Sequence, residues 1–228
     1  MASSEQKVTS EIRNFSKNDR RLPIMRLEPI EGLADRLKKF GRRKTFLPGT
    51  FLFQQDEQID SIYVVESGLI ELAIISKMGD IKIIGICPPG VVIGEMWFYS
   101  KYVNISQSKV LIKYDLIVIS IEKDYSRFFN NPEIAFLLFK SIAAKLQLTT
   151  NQLGVMMLET LSTRIAYVLL DHNKAEVFLT QERLAAMIGC SRITITRNLN
   201  QMQDQGIVHI QRGCITILNR NALTKLIL

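Results

Sequence analysis

Asn131-Pro132-Glu133 opens a stretch with no helix breaker until about Leu158, and no other feature limits the fold of this chain so strongly. The asparagine side chain can accept bonds from the first free N–H groups. Proline already has a helical φ, and a glutamate in the first turn suits the helix dipole. Gly154 is the one soft position. About 27 residues at about 1.5 Å each give a rod of roughly 40 Å, longer than a small sheet can cover. Leu138, Ile142, Leu146, Thr149, Leu153 and Met156 recur at steps of three or four, close to a coiled-coil seam. A core helix lying on its own sheet would carry a similar stripe, but the length favours a helix that pairs with a second copy.

Before this helix the texture is that of a sheet. Residues 1–22 alternate charge and polarity and read as a flexible arm. Leu27, Ile30, Leu33 and Leu37 give helical spacing between Leu22 and Phe40. From Lys44 to Ile121, runs of Ile, Val, Phe and Tyr are cut by Pro48-Gly49, Ser67-Gly68, Met78-Gly79-Asp80 and Pro88-Pro89-Gly90. Strands are expected at Phe51–Phe53, Ile62–Glu66, Leu69–Ile75, Ile81–Cys87 and Leu116–Ile121. About seven or eight such strands with tight turns make a β-sandwich or roll. The fold class is therefore α+β: a β-roll domain over residues 23–130, a dimerisation helix over 131–158 and a helical module over 159–228.

That last module is the most informative. A short helix is expected at Leu161–Leu170. Thr180 then caps a helix carrying Leu184, Ala185 and Ile188; Gly189 makes a turn that needs positive φ, and Ser191 caps a second helix that ends at Gly206. With Ile195, Leu199 and Met202 in the shared core, this is helix-turn-helix spacing. Ile207–Ile210 and Cys214–Ile217, joined at Arg212-Gly213, form a hairpin wing. The second helix leaves Ser191, Arg192, Ile193, Thr194, Thr196, Arg197 and Asn200 outward near its start, the part that enters a major groove. Arginine forks suit guanine O6 and N7, Ile193 suits a thymine methyl, and Thr196 suits a phosphate or a methyl.

Charge agrees without proving the point. The chain carries a formal +7, and residues 159–228 hold eight basic against five acidic side chains. Cys87, Cys190 and Cys214 lack C-x-x-C spacing, and with only His172 and His209 beside them neither a disulfide framework nor a metal site is expected. No apolar run approaches the roughly 18 residues of a membrane span, so a cytoplasmic protein is expected, with a plastid address open should the host be an alga. Double-stranded DNA, a second copy and RNA polymerase are the expected partners, and no membrane. Enzymatic chemistry finds no nucleophile–histidine pair and no Gly-rich phosphate loop. The competing class is a ligand- or protein-binding module.

Over about residues 40–228 the chain resembles the catabolite-activator and fumarate-nitrate-regulator (Crp/Fnr) family. The resemblance rests on Ile93-Gly94-Glu95 after Pro88-Pro89-Gly90, on Asn131-Pro132-Glu133, and on Ile188-Gly189-Cys190-Ser191-Arg192 with Arg197. It implies a small-molecule-sensing β-roll, a parallel helix pair and winged helices on a DNA palindrome. In cyclic-nucleotide-binding members the counterparts of Gly94 and Glu95 hold the ribose, an Arg-Ser pair clamps the phosphate, and two hydroxyls matching Thr149 and Thr150 meet the base. Gly94 and Glu95 stand open between that role and simple turn residues.

The phosphate clamp departs from the pattern. Asn104-Ile105-Ser106 stands where the Arg-Ser pair belongs, and no arginine lies between Arg43 and Arg127. A buried phosphate would lack its guanidinium partner, which argues against cyclic AMP, although Lys101 or Lys109 could lend a charge. No cysteine cluster or sensor histidine suggests an iron–sulfur cluster or haem. Apolar Ile193 makes Ser191–Arg197 similar to cyanobacterial-type nitrogen-control regulators, which implies nitrogen-related genes and 2-oxoglutarate as a candidate effector, with Lys145 as its cation. The candidate effector residues are thus Gly94, Glu95, Met96, Ser106, Lys145, Thr149 and Thr150, unless the protein acts without an effector. Asn198 sits where the family is usually apolar.

Overall fold

The computed structural model describes residues 25–96, 104–111, 114–120 and 130–227. The expected arm and Lys101 lie outside the described residues. The chain divides into two compact units, one built on residues 25–78 and 83–150 and the other on 79–82 and 151–227.

Among the described residues, eight strands precede the long helix in chain order: β1 (Arg42–Phe46), β2 (Phe51–Phe53), β3 (Ser61–Val65), β4 (Ile70–Ile75), β5 (Ile81–Cys87), β6 (Val92–Ile93), β7 (Gln107–Val110) and β8 (Tyr114–Ser120). They form two four-stranded sheets, β1-β8-β3-β6 and β2-β7-β4-β5. Strand β3 explains why both faces of its sheet are apolar: all five of its residues are buried. Side chains alternate along a strand, so Tyr63 and Val65 join one core with Phe53, Ile70, Cys87, Ile93, Val110 and Leu116. Ile62 and Val64 join a second core with Leu33, Leu37, Ile117, Ile119, Ile134 and Leu138. Each fully buried side chain of this size stabilises the unit by about 1.5–3 kcal/mol before conformational entropy is counted.

The helix expected between Leu22 and Phe40 is much shorter, α1 (Leu33–Lys38). Met25 and Leu27 instead bond to the backbone of Ile86, extending the sheet surface, and Pro29 has no N–H to continue a helix. Leu27 is buried all the same, so its apolar character was read correctly and its period was not.

The long helix α2 spans Pro132–Leu158. Asn131 Oδ1 accepts from the N–H groups of Glu133 and Ile134, both at 3.1 Å, and Glu133 pairs with Arg36 of α1. One stripe faces inward: Ile134, Leu138, Ser141 and Leu148 are buried, and Lys145 is nearly so. Another faces out: Phe136, Phe139, Ala143, Leu146, Thr150, Leu153 and Met157 are all exposed, at alternating steps of three and four. Leu138 must therefore be removed from the expected seam, because it is fully buried in the core of its own unit. Ile142 is half-buried, while Leu146, Thr149, Leu153 and Met156 of the expected seam are exposed, beside Thr150 and Met157.

The second unit comprises α3 (Leu161–Leu170), β9 (Glu176–Val177), α4 (Gln181–Ile188), α5 (Arg192–Asp204), β10 (Val208–Gln211), β11 (Cys214–Ile217) and α6 (Arg220–Lys225). Helix α3 has the expected bounds. The wing has a third strand, since β9 pairs antiparallel with β11. Its first strand starts one residue later than expected because Ile207 is drawn into the core while its carbonyl accepts from Leu218 and Asn219.

Candidate nucleic-acid interface

The two helices of the turn are placed by their caps. Thr180 accepts from the Arg183 N–H and Ser191 from the Thr194 N–H, each at 3.1 Å. Between them Gly189 has φ +80°, and the Ala185 carbonyl receives both Gly189 and Cys190 N–H groups. The small Ala185 side chain is buried with Leu184, Ile188, Ile195, Leu199 and Met202.

Burying Ile195, Leu199 and Met202 fixes what α5 can present. Arg192, Ile193, Thr194, Arg197 and Asn200 are exposed, with Ile193 at 72% exposure. A bare isoleucine of that exposure, flanked by arginines at a helix start, gives an apolar point between two forks, and the first-turn N–H groups and dipole add an anion-attracting end. Ser191 is exposed, and its hydroxyl lies 2.8 Å from that of Thr194.

Thr196 departs from expectation. It is half-buried, and its hydroxyl lies 2.6 Å from Gln181 Oε1 and 2.9 Å from the Arg192 carbonyl, so its donor is engaged within the protein. Gln181, missed in the sequence, thereby links the first turn of α4 to α5. Asn198 also gains an explanation: its Oδ1 accepts from Ser162 at 3.2 Å, joining α3 to α5 through a polar contact where an apolar one was anticipated. The wing is tied in the same way, with the Ile210 N–H bonded to Gln203 Oε1 at 2.8 Å.

In the sensor unit the structure brings together Gly94, Glu95 and Lys145. Gly94 has φ +92°, and a Cβ there would lie 2.6 Å from the Ser61 carbonyl, so a glycine is required. Glu95 is fully buried; its Oε1 accepts from Ser141 Oγ at 2.7 Å and from Lys145 Nζ, which also donates to the Val92 carbonyl at 2.7 Å. The Lys145 charge is thus paired with Glu95 rather than held out for an added anion. Ser141 was missed, although its four-residue offset from Lys145 puts both on one helix face. Ser106 is buried, Met96 is half exposed, and Thr149 and Thr150 donate to the carbonyls of Lys145 and Leu146, both at 2.9 Å. These hydroxyl donors are met by their own helix. Ile105 is 64% exposed.

Among the described residues no helix is long and apolar enough to cross a membrane, and no cluster of three or more His, Cys, Asp or Glu side chains is grouped to hold a metal.

Comparison with known proteins matches both units. Residues 43–125 match the cyclic nucleotide-binding domain family, and residues 163–226 match the Crp-like helix-turn-helix domain family. The HTH-type transcriptional regulator Cmr of Mycobacterium tuberculosis is 25% identical over 197 residues, covering 86% of this chain and 79% of that protein. The cAMP-activated global transcriptional regulator Vfr of Pseudomonas aeruginosa is 21% identical, covering 78% of this chain and 89% of its own length. Among solved structures, the c-di-GMP responsive global regulator CLP of Xanthomonas campestris aligns with a TM-score of 0.73 at 20% identity, covering 82% of this chain and 99% of that one. A CRP/FNR-family transcriptional regulator from Thermus thermophilus aligns with a TM-score of 0.66 at 20% identity, covering 82% and 98%.

Proposed function

Because the chain belongs to the Crp/Fnr family of DNA-binding transcription regulators, we propose that two copies bind an inverted repeat, each with α5 in a major groove. The observation that carries this reading is the exposed set Arg192, Ile193, Arg197 and Asn200 on a helix capped by Ser191. A good bidentate arginine–guanine contact is worth about 1–3 kcal/mol of discrimination, and Ile193 favours thymine over a base that needs a hydrogen bond. Gln181 joins this set as a positioning residue, since it holds Thr196 on the adjacent turn. The exposed heptad stripe on α2 supports the homodimer: seven positions at coiled-coil spacing, five of them large and apolar, are left outside the cores of the chain.

The finer reading follows the residues of α5. Their likeness to nitrogen-control regulators supports nitrogen-related targets, reached together with RNA polymerase in the compartment that holds the DNA, the cytoplasm or a plastid. Relatives respond to cyclic AMP and to c-di-GMP. Cyclic AMP is not among the proposed effectors, because Ile105 offers its phosphate no charge. 2-Oxoglutarate is the first metabolite to test, and Lys145 would have to leave Glu95 to meet it. No haem or iron–sulfur cluster is proposed.

Titration of an operator duplex at several salt concentrations tests the core of the proposal. Each neutralised phosphate contributes about −0.9 to the slope of log K against log salt. A steep slope is expected; a slope near zero would return the chain to the class of ligand- or protein-binding modules.

A further inference from the structure

Within the DNA-binding reading above, we propose that Lys145 is a built-in substitute for an effector: it ties the long helix to the sheet through Glu95 and Val92, so that the protein binds its operator without a small molecule. The contact joins three parts of one unit. Glu95 follows β6 and is aimed by Gly94, whose backbone passes too close to the Ser61 carbonyl for any side chain. Ser141 and Lys145 are one turn apart on the inward stripe of α2, which is otherwise largely apolar. Their hydroxyl and ammonium both reach Glu95 Oε1, and the ammonium also reaches the Val92 carbonyl.

The chemistry of a buried acid explains why this matters. A carboxylate with no exposure is tolerated only when a cation and further donors compensate it. Here the compensation comes from the helix, so the helix cannot shift without exposing an unpaired charge. An effector acts by binding one of two arrangements better than the other. A contact made within the chain itself can take that part: Glu95 Oε1 already holds two donors from the helix, while its Oε2 is buried without a hydrogen-bond partner.

The test uses full-length protein stripped of small molecules by unfolding, dialysis and refolding, and a fluorescent operator duplex taken from sequence selection. The stripped protein is expected to bind with the same Kd as the untreated protein. Millimolar cyclic AMP, cyclic GMP or 2-oxoglutarate should change Kd less than twofold. Lys145→Met should weaken binding at least tenfold, Lys145→Arg should stay within threefold of wild type, and Ser141→Ala, a milder change that keeps the fold, should lose about threefold. Restoration of tight binding to stripped protein by any of the metabolites would overturn this proposal and leave the DNA-binding reading standing. So would unchanged binding by both Lys145→Met and Ser141→Ala. If wild-type protein binds no duplex in any condition, the DNA-binding reading fails and this proposal with it.

Discussion

Ser191 has two separable tasks at the start of α5, and substituting it with alanine and with aspartate should pull them apart. Its hydroxyl accepts from the Thr194 N–H at 3.1 Å. Losing such a cap costs about 0.5–2 kcal/mol. Both Ser191 and Thr194 are exposed, so water replaces part of the bond, and about 1 kcal/mol is expected for Ser191→Ala. That is roughly a fivefold shift in the order of the first turn, and DNA affinity should fall by a similar factor. Ser191→Asp keeps an acceptor and adds about 0.3–1 kcal/mol of favourable interaction with the helix dipole. The same charge would face phosphate, so affinity should fall about tenfold or more while stability holds or rises. Urea unfolding reports stability, and fluorescence anisotropy with a labelled duplex reports affinity. An aspartate variant that binds as tightly as wild type would mean that this end of α5 does not face the backbone of DNA.

Gly94→Ala should destabilise the sensor unit by at least about 2 kcal/mol, since alanine at φ +92° is strained and its Cβ would meet the Ser61 carbonyl; a lowered urea midpoint checks this. Leu153→Asp, on the exposed stripe, should shift the protein from dimer to monomer by at least tenfold in dimer Kd, read by sedimentation equilibrium. Burial holds the His172 imidazole down to about 4 from 6.5. Its folded pKa lies below its unfolded one, so the unfolded state takes up the proton first as pH falls. Stability is full above pH 6.5 and should drain away toward pH 4, by up to about 3 kcal/mol. His172→Gln should flatten that part of the profile of unfolding midpoint against pH.

The parts of this molecule that were legible in the sequence are those written in local chemistry. Thr180, Gly189 and Ser191 each dictate a backbone state by their own side chain or lack of one, and all three stand as read. The β-strand Ile81–Cys87 and the helix start at Asn131 were equally local. The seam on α2 was legible only in part, with Leu138 misplaced, because this helix is apolar on two sides. One stripe fills a core and the other is exposed, both at heptad spacing, so periodicity alone cannot say which is which; Leu138 and Leu146 look alike until the sheet is in place. Leu27 was misread as helical because its pairing with Ile86 is long-range. The Glu95–Ser141–Lys145 contact and the Gln181–Thr196 bond span elements distant in the chain, and only the fold reveals them.

Selection of bound sequences from a random duplex pool tests the central claim most directly, since it asks whether α5 reads bases and whether two copies do so together. The account predicts an inverted repeat with half-site centres about 34 Å apart. It further predicts that Ile193→Glu moves one half-site position from thymine toward cytosine. Recovery of no enriched sequence, or of the same sequence with Ile193→Glu as with wild type, would contradict it.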